Sequence, residues 1–282
     1  MRWKGREQSG NVEDRRGMGT GKVVAGGTIG TLVVVLIVWL LGGDPSQVID
    51  SIRSAGGGAG TADTAVIEAE KELSEFSAVV LKETEDIWHT IFNENGMTYR
   101  EPTLVLFSGA VESACGYSGS ATGPFYCPGD EKVYIDLSFL DQLQQTLNAP
   151  GDFAMAYIIA HEVGHHVQKQ LGVTDKLNAL RGQVSETEYN QYTVRLELQA
   201  DFLAGVWAHY AEKTKDILEE GDLQEALNAA AAVGDDRIQM QSQGYIVPDA
   251  FTHGTSEQRR DWFLKGYQTG DVNQGDTFSQ AN

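Results

Sequence analysis

The stretch "FAMAYIIAHEVGHHVQKQLG", residues 153–172, decides how the rest of the chain is read. Asp152 stands ahead of it as a natural N-cap and Gly172 ends it, so the stretch reads as a helix. Its first half is apolar around nearly the whole circumference, the pattern of a helix buried on several sides. His161, Glu162 and His165 interrupt that pattern, and two neutral imidazoles with a carboxylate are costly to bury without a partner. The two histidines are four apart, so their rings lie on one face and can converge on a metal ion. Glu162 is displaced by about a hundred degrees around the helix, beside such an ion, where it can take a proton from a bound water. This is the H-E-x-x-H pattern.

Catalytic zinc usually has three protein ligands and an open position. A third ligand within the same helix fails, because Gln168 and Leu171 stand where the extended motif needs glycine and histidine. A second helical segment, "RLELQADFLAGVWAHY" (195–210), supplies Glu197 and Asp201 one turn apart. Ala204, Gly205 and Ala208 continue that face with small residues that would let another helix approach. Glu197 is the candidate third ligand. Asp201 is the candidate partner for the far nitrogen of a ligand histidine. The competing reading, a solvated acidic stripe, fits poorly with the apolar residues on the other faces. Glu186 and His209 are rival ligands, although a histidine among apolar neighbours is more often a packing residue. His166 points elsewhere on its helix and suits packing or a hydrogen bond, and His89 belongs to an amphipathic helix.

Outward from this centre, Ala65 begins a helical period through Leu73, Phe76, Val80, Ile87 and Ile91, stopped by "NENG" at 93–96. "PTLVLFSG" and "KVYIDLSF" read as strands, and everything after Asp141 is helical in pattern. Thr255 and Gln258 have capping-box spacing for a helix running to about Gly266. The fold class expected is α+β, a helical majority with a small antiparallel sheet to one side. Cys115 and Cys127 bracket a Gly/Ser-rich loop. A disulfide there would stabilise by about 3 kcal/mol in the chain-entropy model; two free thiols or a metal pair are the alternatives.

The first fifty residues differ in character. Residues 23–41 carry no charge, and as a helix would span about 28 Å, close to the hydrocarbon thickness of a bilayer. A cleaved signal peptide would have a shorter apolar core and a small-residue cleavage site, so an uncleaved transmembrane anchor is expected. Before it, basic residues exceed acidic ones by three, so of the net −19 the remainder carries −22. Basic flanks stay in the cytoplasm, which places the acidic body outside. That charge excludes nucleic acid as a partner. The expected organisation is a cytoplasmic basic N-terminus (1–22), an anchor (23–41), a flexible Gly/Ser/Ala-rich linker (44–64), a catalytic domain (65–270) and a C-terminal tail (271–282).

H-E-x-x-H followed on a later helix by E-x-x-x-D resembles the glutamate-zincin metallopeptidases. The phrases "MRWKGREQSGNVEDRRG", "GPFYCPGDEKVYIDLSFL", "AHEVGHHVQ", "LELQADFLAGVWAH" and "FTHGTSEQRRDWFLKGY" are similar to a narrower group, the bacterial neutral zinc metallopeptidases of the YpfJ type, almost end to end. The resemblance implies one zinc per chain on His161, His165 and Glu197, Glu162 as base, Asp201 orienting His161, a membrane-anchored bacterial envelope location, and a peptide or protein substrate. By the same analogy His253 is compared with an oxyanion-stabilising histidine, the alternative being a surface loop residue, and Tyr245 is a weaker candidate for that role. A zinc-stabilised scaffold that binds envelope proteins, or a latent enzyme, is the competing functional reading.

Overall fold

The computed structural model describes residues 1–16, 64–119, 122–137 and 151–279. The expected anchor at 23–41 lies outside them, as does the expected linker apart from Thr64; among the described residues no helix is long and apolar enough to cross a membrane. Seven α-helices and six strands are found there: β1 (Val12–Asp14), α1 (Thr64–Glu94), β2 (Thr103–Phe107), β3 (Ala110–Ser113), β4 (Gly116–Gly119), β5 (Phe125–Cys127), β6 (Lys132–Asp136), α2 (Asp152–Gln170), α3 (Val173–Leu180), α4 (Glu186–Lys215), α5 (Asp222–Ala232), α6 (Asp235–Gln243) and α7 (Ser256–Thr269).

The α+β class holds, but the main sheet is mixed rather than antiparallel. Its strand order is β1-β2-β6-β5, with β1 and β6 both parallel to β2 and β5 antiparallel to β6. The reason lies in the connection: residues 108–131 are long enough for the chain to return in parallel, after making the separate β3–β4 hairpin and β5 on the way. Buried on both faces, β2 and β6 read as nearly continuous apolar runs. Alternation along them divides the core. Leu104, Leu106, Val133 and Ile135 face the helices, while Val105, Phe107 and Tyr134 pack with Cys127 and Val111.

Residues 1–16, expected as a detached basic N-terminus, are built into this domain: β1 adds to the sheet edge, and Trp3 packs edge-on against Phe76 of α1 at 5.4 Å. The tail also packs, with Thr277 donating to the Arg195 carbonyl at 2.6 Å.

Helices α1, α4 and α5 surround α2, which is therefore buried nearly all round. Its N-terminus differs from the expected cap. Gly151 precedes it at φ 114°, and the Phe153 N–H donates to the Glu225 carboxylate at 3.1 Å, while Asp152 accepts from the Met1 amino group at 2.7 Å. Gly164 is where α2 meets α4: a Cβ there would lie 3.0 Å from the Ala200 carbonyl oxygen, so a larger residue would push the two backbones apart by a few tenths of an ångström. Gly205, expected to serve that contact, instead faces α7, where an added Cβ would lie 2.0 Å from the Phe263 carbonyl oxygen; Gly266 meets the Phe202 carbonyl in the same way. Glycines thus set α4 tightly against both neighbours, and this fixes the side chains between them. The capping box of α7 forms as its spacing predicts, and the helix runs on to Thr269.

Candidate metal centre

His161 and His165 project from one face of α2 with their rings 4.8 Å apart, toward Glu197 on α4. His161 Nε2 lies 3.2 Å from Glu197 Oε2 and His165 Nε2 lies 3.3 Å from Glu197 Oε1. One ligand atom from each of the three residues falls within 4.8 Å of the others. The far nitrogens are held separately. His161 Nδ1 is 2.8 Å from Asp201 Oδ1, and His165 Nδ1 is 2.9 Å from Gln168 Oε1. Acceptors at both Nδ1 positions fix the proton there and turn both Nε2 atoms toward Glu197. The structure thus brings together the three expected ligands and places Asp201 behind His161.

Asp201 is fully buried and is held by four donor contacts. Besides His161, Tyr157 donates its hydroxyl at 2.5 Å, and Arg259 donates from Nε at 2.8 Å and from Nη2 at 3.0 Å. Burial pushes the Asp201 carboxyl up, but the Arg259 and His161 charges outweigh it and hold the group below its ordinary range. Burial likewise opposes charge on Glu197, yet the facing His165 and His161 imidazoles keep it well below the usual carboxylate range. Burial lowers His161, but the Asp201 charge and hydrogen bond, with Glu197, hold it at about 10. Two acids and two basic rings concentrated in a buried space form a site that needs cations, supplied by protons or by a metal.

The centre opens on a cleft of about 640 Å³, lined on one side by Phe125 and Tyr126 of β5 and on the other by Leu177 and Arg181. Glu162, 8% exposed, lines this cleft beside the two histidines, and among the described residues no hydrogen bond ties its carboxylate down. His253 also lines it. Asp235 holds that loop: its Oδ2 accepts the backbone N–H groups of Thr252, His253 and Gly254, and its Oδ1 lies 3.2 Å from His253 Nδ1. The hydrogen bond His253 donates to Asp235 raises the imidazole above its ordinary value, against the lowering effect of burial. Tyr245 is not brought in; it is 60% exposed and does not line the cleft.

Other expectations resolve plainly. Cys115 and Cys127 form a disulfide that ties the end of β5 to the loop after β3. His209 donates from Nδ1 to the Tyr267 carbonyl at 2.6 Å, and Glu186 begins α4, eleven residues before Glu197. His166 is hydrogen-bonded to Tyr126 at 3.0 Å and to the Arg100 carbonyl at 2.6 Å, tying α2 to β5. Four contributors escaped the sequence reading: Tyr157, Gln168, Asp235 and Arg259. Tyr157 lies one turn before His161 and Gln168 three residues after His165, so helical spacing could have found both. Asp235 and Arg259 act across the chain and leave no local signal.

The profile of the family described as "Putative neutral zinc metallopeptidase" matches residues 1–278. The chain belongs to that family. It is 46% identical over 298 aligned positions to the uncharacterized protein YpfJ of Escherichia coli K12, covering all of both chains. It is 47% identical over 194 positions to the uncharacterized protein Rv2575 of Mycobacterium tuberculosis H37Rv, covering 65% of this chain and 64% of that one. No solved structure matches the chain.

Proposed function

We propose that the protein is a zinc-dependent peptidase that hydrolyses peptide bonds, with His161, His165 and Glu197 holding one zinc ion and Glu162 acting as general base. The observation that carries this reading is the convergence of two Nε2 atoms and one carboxylate at the floor of an open cleft, with Glu162 beside them. The donor set fits zinc: two imidazoles and one carboxylate are among its catalytic ligand sets, and these three residues would hold it while leaving room for a water. Zinc bound there would lower the pKa of a water toward ~7 and polarise a substrate carbonyl.

The chain's own residues do the rest. Asp201 and Gln168 hold the ligand rings in the tautomer that leaves Nε2 free. Glu162 accepts a proton from the attacking water and returns it to the leaving amine. His253, oriented by Asp235, donates to the developing oxyanion, a contribution typically of about 3–4 kcal/mol. Among the described residues β5 is the last strand of its sheet, and it lies at the cleft, where an extended peptide can pair with its outer edge. A purely structural zinc site usually has four protein ligands and no base, which sets this centre apart from a scaffold.

The test is a Glu162→Gln variant assayed on casein and on a peptide library. It should retain zinc content and melting temperature and lose cleavage. Equal cleavage by both proteins, or by neither, would count against the catalytic reading.

A further inference from the structure

The first sixteen residues are structural members of the domain. Val12–Asp14 pairs with β2 in a parallel register of Val12 with Leu104. Arg6 donates to the buried Glu83 carboxylate at 2.9 Å, and Ser9 donates to Glu85 at 2.6 Å. Lys132 of β6 reaches across β2 to Glu13 at 2.8 Å. At the other end of the same connection, Arg16 donates to the Glu70 carbonyl of α1 at 3.3 Å. Arg16, the last described residue before 17–63, thus touches α1 six residues after its first described residue.

Between them the sequence holds one run long enough to cross a bilayer, residues 23–41; residues 42–63 carry Asp44, Asp50, Arg53 and Asp63 among glycines and serines. A single crossing would put residues 1–16 and the domain on opposite faces. That would strip β1 from β2 and leave the buried Glu83 and Glu85 without Arg6 and Ser9. Opening the β2 edge leaves its backbone groups without ladder partners and forfeits the Arg6–Glu83 and Ser9–Glu85 hydrogen bonds, whereas keeping the two parts together costs none of these contacts. We propose that residues 1–16 and 64–279 lie on the same side of the membrane. This replaces the arrangement expected from flanking charge, with N-terminus inside and domain outside.

The proposal is independent of the peptidase reading and is tested on the full-length chain in native membranes. Carbodiimide coupling followed by peptide mass spectrometry should join Glu13 to Lys132 and Glu72 to Lys4, pairs 2.8 Å and 2.7 Å apart, as readily as the domain-internal pair Lys169–Asp175. Single-cysteine variants Lys4→Cys and Met240→Cys, at side chains 75% and at a residue 50% exposed, should react with an impermeant maleimide from the same side. Reaction from opposite sides, or coupling of the internal pair without the Glu13–Lys132 product, would overturn the shared side.

Discussion

Replacing Arg259 by methionine is the perturbation that probes the support of the centre most sharply. Asp201 is 0% exposed and Arg259 is 4% exposed, so the guanidinium is a desolvated counter-ion with two hydrogen bonds to one carboxylate. Methionine keeps much of the packing volume and removes both bonds. It leaves Asp201 with Tyr157 and His161 as its remaining partners. Removing one member of a buried ion pair typically costs about 3–5 kcal/mol. For a domain of this size that corresponds to a fall in melting temperature of about 6–20 °C. Asp201 would also be released to turn away from His161 Nδ1, and loss of such an outer partner lowers metal affinity by about 10–100-fold. The assay is thermal unfolding at several denaturant concentrations, with zinc affinity measured by chelator competition. The double variant Asp201→Asn/Arg259→Met should be less destabilised than the sum of the single variants, because neither charge is then left alone. A loss below about 1 kcal/mol for Arg259→Met, or full additivity in the double variant, would refute this reasoning.

Asp235→Asn should lower the pKa of His253, read by histidine NMR titration, because the largest support of its raised value is removed. The sign follows: a raised histidine stabilises fully below its ordinary 6.5 and loses that contribution as pH rises through the folded value. Asp235 is lowered by its His253 hydrogen bonds against burial, so its part is present above the ordinary 3.8 and lost as pH falls through the folded value. The alkaline limb of peptide cleavage should therefore move to lower pH in the variant, and an unchanged His253 titration would count against the pairing. Replacing both Cys115 and Cys127 by alanine should cost about 3 kcal/mol by the chain-entropy relation. Because the bridge anchors the cleft-lining β5, KM for peptides should also rise, and reduction of the wild type should reproduce both effects.

The centre was legible because its chemistry is local. Helical periodicity places His161, Glu162 and His165 by spacing alone, and it places Glu197 and Asp201 one turn apart on a second apolar helix. Their meeting depends on a close helix approach, and there small residues misled: Gly205 seemed to serve α2, but Gly164 does, and Gly205 admits α7 instead. A glycine announces a close contact without naming its partner. Strand identity in "TLVLF" and "KVYID" was legible from apolar runs. Their parallel pairing was not, since direction depends on how residues 108–131 travel. Arg259 and Asp235 were invisible for the same reason: each is a common charged residue whose role appears only when a distant carboxylate or imidazole is set against it. The N-terminal segment shows the strongest conflict. Its basic charge follows the rule for a cytoplasmic flank, yet Arg6 is paired with Glu83 of α1 and Arg15 donates to the Glu112 carbonyl.

Zinc titration of the chelator-stripped protein by calorimetry tests the central claim most directly. The wild type should bind one equivalent, and His165→Ala and Glu197→Ala should each abolish that site while the fold, read by circular dichroism, persists. One tightly bound equivalent retained in both variants, or no binding by the folded wild type, would contradict it.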